Sequence, residues 1–323
     1  TGLILLSGTT SVTAFASLAI YDAQTLSLTA DIAGSFTLEV LKGTLMAMDE
    51  RLMAVRPHPD QINTAANIRA ILKDSPMLER YRGHRVQDAL SIRCMPQLHG
   101  PVKKAVKDAQ ATLAIELNSS VDNPLIFDEE DGGAVALMGC NADGTYAGMA
   151  SDNLCIAITD LCKMSNSRID RLLNSLVSEL PAFLNKNADF NNGLMMIQYA
   201  SAGLQGELRI LAHPAVVDNL TTCANQEDYV NMGYNAAKKA YDSMHLAKYI
   251  LAAELICDGQ ALDCYEDKRC AKGTQAIYDL LRSKVPEMDN DMPLTPYLEA
   301  VAQQIIDGAY IRTVEASVGA LKF

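Results

Sequence analysis

The feature that most constrains this chain is a set of long proline-free stretches in which apolar residues recur at helical spacing. Thr145–Leu180 runs for 36 residues rich in Ala, Leu, Met and Ile before Pro181 interrupts it. Proline lacks the N–H that a continuing helix needs, so the stretch predicts a long helix ending there. Gly193–Ala212 is a second such stretch, stopped by Pro214, and Asn225–Leu262 a third, ending near Asp263. Val102, Ala105, Val106, Ala109, Leu113 and Leu117 fall close to a 3.6-residue repeat and predict a helix over Val102–Leu117. Strand-like alternation is confined to Ile126–Phe127 and Ala134–Met138, on either side of the turn signal Asp131-Gly132-Gly133, and predicts one small hairpin. Arg56–Asp60, with two prolines, and Phe183–Asn192, with five Asn and Asp residues, read as loops. No repeat of 20–50 residues and no low-complexity linker divides the chain. The expected fold is all-α: one elongated bundle of long antiparallel helices, a single helical domain over residues 1–323, with at most one small hairpin.

Composition narrows the functions such a bundle can have. Tryptophan is absent and aromatics make up 6%, so Ala, Leu and Met must fill the core. Small side chains let helices approach closely, and apolar faces too extensive for one subunit make oligomerisation the expectation. The net charge of −12 gives no electrostatic reason to bind nucleic acid or an anionic membrane surface. No apolar stretch reaches the roughly 18 residues that span a bilayer; the run Tyr249–Ala253 is cut short by Glu254. Thr1–Leu6 lacks the basic region and cleavage site of a signal peptide. A chain that begins on Thr1 rather than Met is expected to be either processed or a piece of a longer one. The eight cysteines (Cys94, Cys140, Cys155, Cys162, Cys223, Cys257, Cys264 and Cys270) form no Cys-x-x-Cys pair and no zinc-spaced cluster with histidine, so no metal is expected. Buried reduced thiols favour a reducing cytoplasm.

Four segments carry residue types capable of chemistry. In Gln87–Gln97, Gln87 and Arg93 would lie about 240° apart on a regular helix. Pro96 biases Met95 away from the α region, so the backbone is expected to break near Arg93 and turn its guanidinium into a cleft. Two roles are open for Arg93: clamping a substrate carboxylate through paired hydrogen bonds, or meeting the negative end of a helix dipole. In Thr221–Tyr229, Asn225 can cap a helix whose first turn holds Glu227 and Asp228; Glu227 in a closed cleft could instead act as a base or bind an imidazole. In Leu5–Thr10, Gly8 permits a turn and Ser7 or Thr9 is a candidate cap. The segment lacks the second glycine and the lysine of a phosphate loop. Asn118–Pro124 is a polar turn before an apolar run. Met195 and Met196 fit core filling as well as pocket lining, and the five histidines are scattered.

Taken in order, these segments resemble the histidine and phenylalanine ammonia-lyase family. Arg56-Pro57-His58-Pro59-Asp60-Gln61 is similar to the family's Arg-Pro-His-Pro-Gly-Gln. Gln87-Asp88-x-x-Ser91-x-Arg93-Cys94-x-Pro96-Gln97 resembles its Gln-Asp-x-Tyr-Ser-x-Arg-Cys-x-Pro-Gln. Ser119-Ser120-Val121-Asp122-Asn123-Pro124-Leu125, Leu211-Ala212-His213-Pro214-Ala215 and Ala224-Asn225-Gln226-Glu227-Asp228 follow in the same order, so the resemblance covers about Leu3 to about Pro293. It implies an all-α tetramer whose active sites are lined by several subunits, and ammonia elimination from an aromatic amino acid. It implies that Arg93 binds the substrate carboxylate, that Gln87 bonds the electrophile or substrate, and that Glu227 and Asn225 lie near the substrate ring. Ser7, Leu90 and Met195 would line the pocket. The electrophile of the family, a methylidene-imidazolone (MIO), forms from an internal Ala-Ser-Gly. This chain contains no such tripeptide, so the ring is expected only if a missing N-terminal third, or a partner chain carrying it, supplies it. Ser7 replaces the usual Asn, Leu90 a Tyr, and Ala142 falls near a Phe that packs on the electrophile.

Three readings follow. The first is an ammonia-lyase, or an aminomutase variant, acting on a histidine-like substrate with a second polypeptide. The second is an imidazolone-independent lyase that releases trimethylamine, a far better leaving group, from a betaine such as ergothioneine. The third is a non-catalytic helical partner of an active lyase.

Overall fold

The computed structural model describes residues 7–187 and 190–323. Thr1–Leu6, with Leu5 and Leu6 of the Leu5–Thr10 segment, and Ala188 and Asp189 of the Phe183–Asn192 loop lie outside the described residues. Among the described residues, thirteen α-helices in chain order are α1 Thr10–Val40, α2 Glu50–Ala54, α3 Pro59–Ile71, α4 Pro76–Arg80, α5 Leu90–Arg93, α6 Met95–Glu116, α7 Thr145–Leu173, α8 Ser175–Ser178, α9 Met195–Leu211, α10 Gly233–Asp263, α11 Lys272–Arg282, α12 Thr295–Ile306 and α13 Ala309–Val318. The two strands, β1 Leu125–Asp128 and β2 Ala134–Leu137, pair antiparallel with Leu125 opposite Leu137 and Asp128 opposite Ala134. The fold is therefore all-α with one small hairpin, as the periodicity predicts.

The centre is a packing of α1 on α10, with α7 and α6 beside them. Leu26–Val40 of α1 and Ile250–Asp263 of α10 are buried without a break. A helix surrounded on all sides has no polar face, and its sequence loses the periodic signature of an amphipathic one. Several hydroxyls within α1 fold back on their own helix: Ser35 donates to Asp31 O at 2.7 Å and Thr29 to Thr25 O at 2.8 Å. Those bonds satisfy polar groups that burial would otherwise strand. The close approach of α3 to α6 depends on Gly100, where a Cβ would sit 2.7 Å from the Gln61 backbone nitrogen.

Several expected boundaries shift for local reasons. Pro59 opens α3 at its first position, where a missing N–H costs nothing, so Pro59 and Asp60 are helical rather than part of a loop. The helix predicted over Thr145–Leu180 ends at Leu173; the Asn174 side chain accepts from Leu176 N and starts the short α8, and Glu179 is left-handed at φ 60°. The helix predicted from Asn225 begins at Gly233, because Cys223, Ala224 and Asn225 all adopt positive φ (47°, 51° and 67°). The 3-10 turn Ala182–Leu184 runs into the start of Phe183–Asn192.

Of the acids set in the apolar helices, Asp31 is paired with bases. Asp31 of α1 lies between His99 Nδ1 at 2.8 Å and Lys103 Nζ, and all three side chains are fully buried. Burial would raise the Asp31 carboxyl, but the Lys103 charge and the hydrogen bond from His99 outweigh it and hold the group below its ordinary value. Burial lowers His99, so the ring is neutral, with Nδ1–H donating to Asp31 and Nε2 left without a partner. Among the described residues no helix is long and apolar enough to cross a membrane, and no group of three or more His, Cys, Asp or Glu is disposed to hold a metal.

Candidate active site

Asp88 and Ala89 deliver the chain into α5. Asp88 is buried and accepts from Thr44 N at 2.8 Å; Ala89 takes the extended backbone that precedes a helix start. Four residues later the helix stops at Cys94, and α6 begins at Met95 with Pro96 in its first turn. The break thus falls one residue beyond Arg93, and Met95 is helical despite the proline that follows it.

Gln87 and Arg93 meet. Because the chain before Leu90 is not helical, Gln87 swings back over the turn, and Arg93 Nη1 donates to Gln87 Oε1 at 3.0 Å. The 240° separation of a regular helix does not apply. The Arg93 Nε and, one turn on, Gln97 Oε1 are buried with no partner. A guanidinium with an unsatisfied buried N–H, beside an amide that fixes its orientation, is a donor set suited to a planar carboxylate. Arg93 stands at a helix C-terminus, so the dipole also favours its charge; the two roles reinforce each other.

Of the other expected site residues, Leu90 shares α5 with Arg93, and Ser7, Met195, Asn225 and Glu227 belong to other segments. Leu90 opens α5 and is 62% exposed, with neither the hydroxyl nor the ring of a tyrosine to offer. Ser7 is half-buried ahead of Gly8, whose φ of 67° and close approach to the Val121 carbonyl exclude a side chain. Thr9 holds the position before α1, yet its hydroxyl makes no cap bond and is buried without a partner. Met195 is the first residue of α9 and half-buried. Asn225 does not cap α10: it closes a left-handed 3-10 turn in an exposed loop.

Glu227 belongs to that same loop rather than to a helix. Thr222 and Glu227 form an isolated antiparallel bridge, with Thr222 N donating to Glu227 O at 2.8 Å and the Thr222 hydroxyl to Glu227 Oε2 at 2.6 Å. That hydroxyl first, and the Cys223 thiol second, hold the Glu227 carboxyl below the ordinary glutamate range, so it is an anion at neutral pH. No hydrogen bond or ion pair joins Glu227 or Asn225 to Gln87 or Arg93 among the described residues. Thr222 went unnoticed in the sequence; its spacing from Glu227 becomes meaningful only once the intervening turn is left-handed.

An imidazolone ring needs an Ala-Ser-Gly, absent from the 323 residues, and polar and aromatic support around it. Gln87 and Ser7 are polar, but Leu90 and Ala142 bring neither a donor nor a ring. These 323 residues do not themselves form that ring, and no step is assigned through it.

Comparison with known proteins identifies the family. A family model described as aromatic amino acid lyase matches residues 1–283. Among relatives, histidine ammonia-lyase 2 of Fusobacterium nucleatum is 40% identical over 322 residues, covering 99% of this chain and 63% of its own length. The histidine ammonia-lyase of Symbiobacterium thermophilum is 40% identical over 321 residues, with the same shares of each chain. Among solved structures, the histidine ammonia-lyase of Trypanosoma cruzi superposes with a TM-score of 0.89 at 33% identity, covering 98% of this chain and 60% of that one. Tyrosine aminomutase of Streptomyces globisporus superposes at 0.91 and 28% identity, covering 99% and 65%. The chain therefore spans about three-fifths of the length of its curated relatives, and by its family match and these relatives it belongs to the aromatic amino acid lyases.

Proposed function

We propose that this chain forms the substrate-binding part of a carbon–nitrogen lyase that eliminates ammonia from a histidine-like amino acid. The observation that carries the reading is the Gln87–Arg93 pair at 3.0 Å with the Arg93 Nε buried and unpartnered. Arg93 would bind the substrate carboxylate and Gln87 would hold the guanidinium in plane. Glu227, anionic and held by Thr222, would accept the imidazole N–H. Elimination removes a proton from the ring-bearing carbon and the amine from its neighbour, leaving a double bond conjugated with ring and carboxylate. Ammonia is a poor leaving group, so the electrophile that assists it would come from residues other than these 323, on a further segment or a second chain. Assembly into a homotetramer belongs to the same reading. It is supported by the outward face of α9, where Met196, Tyr199 and Ile210 are all more than half exposed and offer an apolar surface to bury. Eight free cysteines agree with a reducing cytoplasm.

The test is a product assay on the chain co-expressed with a polypeptide carrying Ala-Ser-Gly. The reading expects ammonia and a conjugated imidazole acrylate from histidine. Trimethylamine from an imidazole betaine, with no ammonia from histidine, would instead favour the imidazolone-independent chemistry to which Leu90 and Ala142 point. No turnover of either, with stable co-purification, would mark a non-catalytic partner.

A further inference from the structure

Beneath α5 lies a charged cluster that the binding of substrate does not use. Arg168 of α7 and Glu254 of α10 are fully buried and face each other: Arg168 Nε donates to Glu254 Oε1, and Nη2 to Oε2 at 3.0 Å. Glu254 also receives the Ser165 hydroxyl and, at 2.8 Å, that of Thr37 from α1. The Thr37 oxygen stands equally 2.8 Å from Asp258 Oδ1. One hydroxyl hydrogen serves one carboxylate. Burial, and then the neighbouring Glu254 charge, push Asp258 well above the ordinary range, so it keeps its own proton and gives it to Thr37. The result is a chain directed from Asp258 through Thr37 to Glu254, which accepts from Arg168 on its other side.

The chain has one outward arm. The remaining Arg168 nitrogen, Nη1, reaches the Ser91 carbonyl at 3.3 Å. Ser91 is the second residue of the four-residue α5, which ends on Arg93. A single helical turn does not hold itself together in water. Gly34 of α1 leaves the room this needs: a Cβ there would strike Met95 Sδ at 2.3 Å and lie 3.5 Å from Arg168 Cζ.

We propose that Arg168 is a positioning residue for Arg93, its guanidinium locked by Glu254 on one side and gripping the Ser91 carbonyl of α5 on the other. This rests on the reading of Arg93 as the carboxylate clamp. Arg168 touches no substrate. It sets where the clamp points by tying a turn too short to be stable alone to the helices α1, α7 and α10.

Amide hydrogen exchange on the wild-type chain and Arg168→Lys tests the link without requiring turnover. Lysine keeps the charge but cannot span both partners. Protection of Ile92, Arg93 and Cys94 should fall at least about tenfold in the variant while the centres of α7 and α10 stay protected. Unchanged protection at these three amides overturns the proposal. Should Arg168→Lys fail to fold, the wild-type chain still decides. These amides should open with the same denaturant dependence as α7 and α10, and exchange through independent local fraying of α5 overturns it. In an assembly that turns over, Arg168→Lys should raise KM for a carboxylate substrate by about tenfold with a smaller change in kcat, and add little to Arg93→Lys. Full additivity of the two overturns the link. Absence of any turnover contradicts the lyase reading and leaves the exchange result standing.

Discussion

Replacing Lys103 by methionine should cost this fold about 3 kcal/mol, the lower end of what breaking a buried ion pair costs. The structure sets that end of the range. Asp31 keeps two donors after the change, His99 Nδ1 and Asn67 Nδ2, each at 2.8 Å, and the Lys322 carbonyl keeps Asn67 Nδ2 at 2.8 Å. What is lost is the one full positive charge next to a carboxylate with no access to water. For 323 residues, at about 2.1 cal/mol/K of unfolding entropy each, the penalty corresponds to a melting-point drop of about 4 °C. Asp31→Asn alone should cost a similar amount, because Lys103 is then a buried cation with only Thr64 Oγ1 and the Lys322 carbonyl beside it. The double variant removes both charges and should return to within about 1 kcal/mol of the parent, a coupling of about 5 kcal/mol. Urea unfolding followed by far-ultraviolet circular dichroism measures all four proteins. Penalties that simply add, near 6 kcal/mol in the double variant by the same arithmetic, would refute the pairing as the source of the energy.

Asp258→Asn should raise stability at neutral pH, since the wild-type carboxyl must take up a proton to be buried and asparagine need not, whereas Glu254→Gln should cost about 3 kcal/mol by leaving Arg168 uncompensated. A carboxyl raised in the folded state contributes most below its ordinary range and loses that contribution as pH rises through the folded value. Asp258→Asn should therefore flatten the alkaline side of the wild-type stability profile, and an unflattened profile counts against a protonated Asp258. In native thiol labelling, Cys140 and Cys223, both exposed, should react first, and Cys155, Cys162 and Cys257 only on unfolding, because burial raises these three thiols. Glu227→Gln should lower kcat/KM for histidine at least about tenfold while sparing phenylalanine; an equal loss on both would deny Glu227 a role at the ring.

What the sequence revealed follows the physics of burial. Surface helices such as α6 announce themselves through an apolar stripe, and the predicted Val102–Leu117 overlaps the observed element up to Glu116, with Leu117 as its C-cap. Helix α1 does not, for Leu26–Val40 is enclosed on every side and its residues follow no period. One boundary moved because backbone φ turns positive: Cys223–Asn225 looks like a helix start and is a left-handed turn. At the site, the resemblance brought Gln87 and Arg93 to notice, but their contact depends on a chain reversal ahead of Leu90 that no helical wheel displays. The Arg168–Glu254 pair had a visible trace. Glu254 interrupts an apolar run, and an acid in such a place must find a cation; which one is a property of how α7 meets α10.

The most direct measurement is the affinity of imidazolepropionate, a substrate analogue without the amine, for the assembled protein and for Arg93→Met. Paired charge-assisted hydrogen bonds to a carboxylate predict that Kd rises by about 10- to 100-fold in the variant, while the neutral carboxamide of the same analogue binds both proteins equally. An unchanged Kd for the carboxylate would contradict the assignment of Arg93 as the clamp.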